Sequence, residues 1–258
     1  MSKDLLHKIH HENCLDTMAK MKDNFIDLTV TSPPYDGLRT YNGYSFDFEG
    51  IAKELYRVTK NSGVVVWIVG DATIKGSETG TSFKQALFFK ECGFNLHDTM
   101  IYSKASQLRQ NGARYEQQFE YMFVFSKGAV KIKSIIKEKN KNAGKTVKRT
   151  CRDSGKDDLK KSSNVVSEYK TKGNVWFYGT KKNNTKHPAI FPEQLAAAHI
   201  ISWSNEKDLV YDCFMGSGTT AKMAHIHKRK WVGSEISSEY VELANKRIKP
   251  YLDQLTIF

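Results

Sequence analysis

Apolar and polar residues alternate at period two through Ile26, Asp27, Leu28, Thr29, Val30 and Thr31, predicting a strand that Pro33 and Pro34 bring to a stop. Ile51, Leu55 and Val58 recur at helical spacing, Asn61-Ser62-Gly63 reads as a chain break, and residues 64–69 (VVVWIV) form a continuous apolar run. Such a run suits a strand buried on both faces of a helix-covered sheet. Farther on, residues 82–91 predict a helix, 97–103 and 119–126 two strands with a long loop between them, and 191–203 a helix opened by Pro192. Leu209, Val210 and Tyr211 lead through a glycine turn and a helix over 221–227 to another apolar run, Trp231, Val232 and Gly233, which ends at Glu235. Ser238 caps a last helix that is expected to end before Pro250. Strands interleaved with helices predict an α/β fold with helices on both faces of one sheet.

Composition narrows the picture. A chain of 258 residues, 40% of them apolar, fits one α/β domain of ordinary size without a second core. Its charge is unevenly spread: residues 127–186 hold 18 Lys and Arg against 5 Asp and Glu, net +13, where the whole chain carries +12. A basic excess confined to one polar segment is what phosphate binding with counterion release would use. Lys145, Lys148, Arg149 and Arg152 are its candidate DNA contacts, and Arg109 and Arg114 lie in a second candidate loop. A solvated surface loop is the alternative reading of the basic run. Ile132, Ile135, Ile136, Val165, Val166 and Tyr169 give it enough apolar content for a small hairpin or helix. Cys14, Cys92, Cys151 and Cys213 show no CxxC spacing, and the histidines at 7, 10 and 11 and at 225 and 227 lack a carboxylate at ligand spacing, so no metal is expected. Without a leader peptide or a long apolar span, the expected location is the cytoplasm, with no membrane partner.

Two segments carry candidate chemistry. In Thr31-Ser32-Pro33-Pro34-Tyr35 the prolines leave a carbonyl unpaired at the strand's end, Ser32 adds a side-chain acceptor, and Tyr35 adds a flat face. Two acceptors and a ring suit an amino group on a heteroaromatic ring, although these residues alone read more readily as a plain Ser-Pro-Pro turn after an edge strand, with Tyr35 merely packing. The second segment runs Asp212-Cys213-Phe214-Met215-Gly216-Ser217-Gly218-Thr219-Thr220 and leads to Glu235 at the next strand's tip. Glycines 216 and 218 would let the backbone pass under a ligand, and an acid there would take both hydroxyls of a ribose. An adenosine-containing cofactor fits, and so does a nicotinamide or flavin nucleotide. A Walker phosphate loop does not, since GxxxxGK[ST] is missing from the sequence.

Taken together, the SPPY and FMGSGTT segments strongly resemble the amino-methylating DNA methyltransferases that use S-adenosylmethionine, in the permuted order with the catalytic loop first. The resemblance covers most of the chain. It implies a Rossmann-like methyltransferase sheet with catalytic residues Ser32, Pro33, Pro34 and Tyr35, a basic target-recognition insertion, and a cofactor-binding part. The three parts would span 1–126, 127–186 and 187–258. Asn13, where that family usually has aspartate, would lie against the cofactor's adenine, and the run from His187 and Pro188 to Leu195 looks like the family's stretch before the cofactor loop. Thr31, Asp212, Phe214, Gly216, Ser217, Gly218, Thr219 and Glu235 complete the implied cofactor site, with S-adenosylhomocysteine as product and no metal. Ser at the first motif position is associated in that family mostly with N4 of cytosine and Asp with N6 of adenine, so Ser32 favours cytosine, with adenine as runner-up. The absence of a Pro-Cys dipeptide counts against methylation of a ring carbon. Double-stranded DNA is the implied substrate, its target base flipped out of the helix. A bacterial or phage-infected cell is the implied source, and a homodimer and a cognate restriction endonuclease are admitted as partners. The remote alternatives are a nicotinamide-dependent oxidoreductase, an inert DNA-binding protein and an RNA amine as substrate.

Overall fold

The apolar run 64–69 lies in the middle of an eight-stranded sheet. The computed structural model describes residues 4–34, 46–108, 114–131, 135–152, 159–179 and 192–254. Its elements begin with β1 (Lys8–His11), α1 (Cys14–Ala19), β2 (Ile26–Thr31), α2 (Phe48–Val58) and β3 (Thr59–Val69). A small hairpin of β4 (Thr73–Ile74) and β5 (Ser77–Glu78) precedes α3 (Thr81–Glu91), β6 (Asn95–Leu108) and β7 (Gln117–Ser126). Then follow β8 (Lys137–Lys139), β9 (Thr146–Arg152), β10 (Leu159–Val165), β11 (Tyr169–Thr171) and β12 (Val175–Tyr178). The chain closes with α4 (Glu193–Trp203), β13 (Leu209–Asp212), α5 (Thr219–Ile226), β14 (Lys230–Glu235) and α6 (Ser238–Gln254).

The main sheet has the order β1-β14-β13-β2-β3-β7-β6-β12. Strands β1 through β3 in that order are parallel, β7 runs antiparallel to both neighbours, and β12 is parallel to β6. Helices α1, α2 and α3 pack in one layer and α4, α5 and α6 in another, so the central strands are covered and their residues need no polar face. The aromatic part of the core centres on Phe89, which stacks on Phe125 at 4.5 Å and meets Trp67 edge-on at 5.1 Å. Trp67, fully buried, donates its indole N–H to Gln85 at 2.8 Å, so its one polar atom is satisfied.

Crossovers β2–α2–β3 and β13–α5–β14 lead away from the β2/β13 boundary in opposite directions along the sheet. That boundary is a topological switch point, where loops leaving adjacent strand ends diverge and open a crevice.

Several local expectations are corrected. The Asn61-Ser62-Gly63 break lies inside β3. Ile26 of β2 pairs with Thr59 and Leu28 with Val64, so the turn-prone residues bulge out of register, Ser62 taking φ 71°. Neighbouring backbone absorbs the bulge, as Ser62 N–H donates to Lys127 and Lys127 N–H to Gly63. The last helix runs through Pro250 to Gln254. Its final turn is held from outside, by His225 against the Tyr251 carbonyl at 3.1 Å and by the Lys222 ammonium over the Tyr251 ring. Helix α4 begins at Glu193, with Pro192 as its N-cap.

Residues 135–173 form a separate compact unit, shorter than the basic run 127–186 because Val175–Tyr178 joins the main sheet beside β6. Strands β9 and β10 pair antiparallel from Thr146↔Val165 to Arg152↔Leu159, and β8 pairs with β11 from Lys139↔Tyr169 to Lys137↔Thr171. Bonds between Gly144 and Val166 and between Asn140 and Glu168 join the two ladders into one two-stranded ribbon, so the expected hairpin or helix is a hairpin. Lys145, Lys148, Val165 and Tyr169 are exposed on it.

Candidate functional site

Four strands that are neighbours in the sheet bring the candidate residues to its carboxyl-terminal edge. Beyond β1, whose His11 is level with Glu235, the chain turns at Asn13; β14 ends in Glu235, β13 in Asp212, and β2 in Thr31 ahead of Ser32, Pro33 and Pro34. Tyr35 and the pair His187 and Pro188 lie outside the described residues. The prolines act as expected, since the β2 ladder stops at Thr31.

A hydrogen bond crosses the switch point. Fully buried Thr31 donates its hydroxyl to Asp212 Oδ1 at 2.7 Å, and the same oxygen accepts the Phe214 N–H at 3.0 Å. Asp212 therefore ties the Ser-Pro-Pro loop to the glycine turn. Burial raises its pKa to about 6, against the pull of the Thr31 and Thr220 hydroxyls and the Phe214 N–H. Thr31 and Asp212 are thus bonded to each other in the interior, a brace between the two loops.

Glu235 is organised differently. Its Oε2 accepts the Gly216 N–H at 2.7 Å and its Oε1 the Ser237 N–H at 2.9 Å, which fixes the carboxylate against the turn. Burial raises its pKa, partly offset by those backbone donors. A carboxylate has about four lone-pair sites, and the backbone donors from Gly216, Ile236 and Ser237 do not use all of them. The residues present therefore fit a ribose with two vicinal hydroxyls.

Gly216 and Gly218 both sit at positive φ, 50° and 80°. At Gly218 the need for glycine comes from α6 as well as from the turn: a Cβ there would lie 2.9 Å from Ala244 Cβ and 3.1 Å from Ile248 Cδ1. Gly218 is also the N-cap of α5 and has no side chain to bond the first turn, so the glycine turn is followed by a helix N-terminus without a side-chain cap. Phe214 is half-buried, its ring 5.8 Å from Phe46 and 6.2 Å from Trp67. Ser217 and Thr219 are buried, and both hydroxyls accept from Arg247, which sequence reading missed because an arginine in the last helix carries no motif.

Other candidates have local partners. Asn13 caps α1, its Oδ1 accepting the Leu15 N–H at 2.9 Å, which leaves its amide N–H₂ for another acceptor. Arg114 donates to the Gly76 carbonyl and pairs with Glu78 at 3.7 Å, so it buttresses the β4–β5 hairpin. Arg109 lies outside the described residues, and Arg149 and Arg152 are placed only by the backbone of β9. Among the described residues no group of three His, Cys, Asp or Glu could hold a metal ion, and no helix is long and apolar enough to cross a membrane.

A mainly parallel sheet with one reversed strand, a glycine turn at the switch point and an acid on the next strand define a Rossmann-like nucleotide-cofactor fold. Residues 26–246 match the family model described as DNA methylase, the N6/N4 methyltransferase group, and the chain belongs to this family. It is a DNA methyltransferase of the amino-methylating N4-cytosine/N6-adenine kind. The orphan methyltransferase M.BamHII of Bacillus amyloliquefaciens is 55% identical over 247 residues, covering 90% of this chain and 93% of that protein. The type II methyltransferase M.BglII of Bacillus subtilis is 27% identical, covering 94% of this chain and 69% of its own length. Among solved structures, the cytosine-N4-specific PvuII DNA methyltransferase superposes with a TM-score of 0.68 at 20% identity, over 96% of this chain and 91% of that one. Family membership removes the nicotinamide-dependent reading of the glycine turn.

Proposed function

We propose that this protein methylates N4 of cytosine in double-stranded DNA, with S-adenosylmethionine as donor. The observation that carries the reading is the placement of Ser32. It follows the last residue of β2 directly, at the switch point, and the Thr31–Asp212 bond ties its strand to the glycine turn. Serine at this position supports cytosine over adenine through the family resemblance.

S-adenosylmethionine would be held by Glu235 and the turn from Asp212 to Thr219, and when bound it supplies an electrophilic methyl group on a sulfonium sulfur. The chain's own task is to prepare the nucleophile. An arylamine nitrogen delocalises its lone pair into the ring. Acceptance of its two hydrogens by Ser32 Oγ and the Pro33 carbonyl would pull the nitrogen toward a pyramidal geometry and aim the lone pair. Pro33 is buried and lies past the end of β2, so its carbonyl is outside that strand's ladder. Orientation and fixed dipoles would supply the catalysis: as the N–C bond forms, the C–S bond breaks to leave S-adenosylhomocysteine, and the cationic methylated nitrogen is acidic enough to release its extra proton to water, so no strong base is needed.

A base inside a duplex hides its amine, so the target nucleotide must be flipped out at a cost of a few kcal/mol. The basic ribbon of residues 135–173 supports duplex DNA as the substrate. It carries 12 Lys and Arg against 5 Asp and Glu, and a two-stranded ribbon is one of the shapes that a major groove admits. In this reading Tyr35 stacks on the flipped base and the methyltransferase has no metal.

The test is to incubate the protein with unmethylated bacterial DNA and isotope-labelled S-adenosylmethionine, digest to nucleosides, and identify the labelled species by mass spectrometry. Label in N4-methylcytosine is expected. Label in N6-methyladenine would overturn the base assignment, and label in neither would overturn the reading as a whole.

A further inference from the structure

Behind the glycine turn lies an ionic cluster that joins three helices. Arg247 of α6 sends Nη1 to the Ser217 carbonyl at 3.1 Å, the Ser217 hydroxyl at 2.9 Å and the Thr219 hydroxyl at 3.1 Å. Its Nη2 donates to Glu193 Oε1 of α4 at 2.5 Å, and Lys222 of α5 donates to the same oxygen at 2.7 Å. Both cationic side chains are largely buried, 15% exposed for Arg247 and 11% for Lys222.

The turn needs such an anchor. Two positive-φ glycines leave it with more backbone freedom than residues with a Cβ would, and freedom lost on binding weakens affinity. A guanidinium only donates, so the Ser217 and Thr219 hydroxyls act toward it as acceptors and keep their own protons for donation elsewhere. Its planar fork satisfies three oxygens and a carboxylate at once, which a lysine ammonium would not do in the same geometry.

We infer that Arg247, held by Glu193, is a positioning residue for cofactor binding: it fixes the Ser217–Thr219 stretch in its binding conformation and sets the polarity of both hydroxyls. The inference rests on the reading of this turn as the S-adenosylmethionine site. It implies that part of the affinity for the cofactor comes from α6, a helix that contributes no residue to the crevice described above.

Calorimetric titration of the full chain with S-adenosylhomocysteine tests it, using wild type, R247A and R247K. In R247A the Glu193 carboxylate keeps Lys222, so no buried charge is orphaned and the fold should survive. R247A should bind about tenfold or more weaker, and KM for S-adenosylmethionine should rise while KM for DNA changes little. R247K, which keeps the charge without the fork, should regain thermal stability yet stay several-fold weaker in binding. Unchanged affinity in R247A, or full recovery of affinity in R247K, overturns the role assigned to Arg247. A wild type that does not bind S-adenosylhomocysteine overturns the cofactor reading itself, and the inference with it.

Discussion

Replacing Thr31 by valine removes one hydroxyl from the centre of the molecule and almost nothing else. Valine has the same branched shape and suits a strand, so neither a cavity nor a backbone change is expected. What is lost is the 2.7 Å bond to Asp212 Oδ1, which keeps the Phe214 N–H at 3.0 Å, together with the weaker bond at 3.5 Å in which the same hydroxyl accepts the buried Cys213 thiol. A hydrogen bond to a buried carboxylate contributes about 2 kcal/mol, and for a chain of this size that lowers the melting midpoint by about 6 °C. The functional effect should exceed the stability effect. Thr31 directly precedes Ser32, and a small displacement of an orienting group costs roughly ten- to a hundredfold in turnover. The assay is transfer of labelled methyl to DNA at saturating cofactor, with melting followed by circular dichroism. We expect kcat to fall by that factor while affinity for S-adenosylhomocysteine changes less than about threefold, because the Glu235 contacts remain. A T31V protein with wild-type melting and wild-type kcat would refute the brace.

Asp212 also has a pH signature. Burial lifts its folded pKa to about 6 from an ordinary 3.8, so the folded protein holds its proton more tightly than the unfolded chain. The contribution of this group to stability is then fully present below pH 4 and is lost as pH rises to about 6, a change of about 3 kcal/mol. D212N cannot titrate, so between pH 4 and 7 its stability relative to wild type should improve in urea titrations; a constant difference would contradict an elevated pKa. S32A should bind S-adenosylhomocysteine normally and lose about a hundredfold or more in kcat, and unchanged turnover would remove Ser32 from catalysis. For E235Q we expect cofactor affinity to drop about tenfold and to become insensitive to acid. Wild-type affinity, by contrast, should already fall on acidification above the usual carboxylate range, because burial raises the Glu235 pKa; a pH-independent wild type would count against that acceptor. In the ribbon, K145Q and K148Q should each reduce the slope of log affinity for DNA against log salt by about 1, and an unaltered slope would place both lysines away from phosphate.

The parts whose signal is local could be read from the residues alone. Alternation ending in two prolines placed the end of β2 at Thr31, continuous apolar residues placed the buried centre of β3, and a glycine turn between a strand and a helix placed the loop from Asp212 to Thr219. Those signals depend on neighbours within a few residues, so one sequence suffices to read them. The rest came from contacts between distant segments. Thr31 and Asp212 stand 181 residues apart and meet only because β2 and β13 become neighbours in the sheet. The helix expected to stop at Pro250 continues because His225 and Lys222 hold its last turn, and the break at 61–63 becomes a bulge because β2 and the Lys127 backbone pair around it. Glycine at 218 serves the packing of α6, and Arg247 reaches the glycine turn from that same helix. A hydrogen bond or a close contact between distant segments leaves no periodicity in either of them, which is why the residues that prepare this site were invisible until the sheet had brought them together.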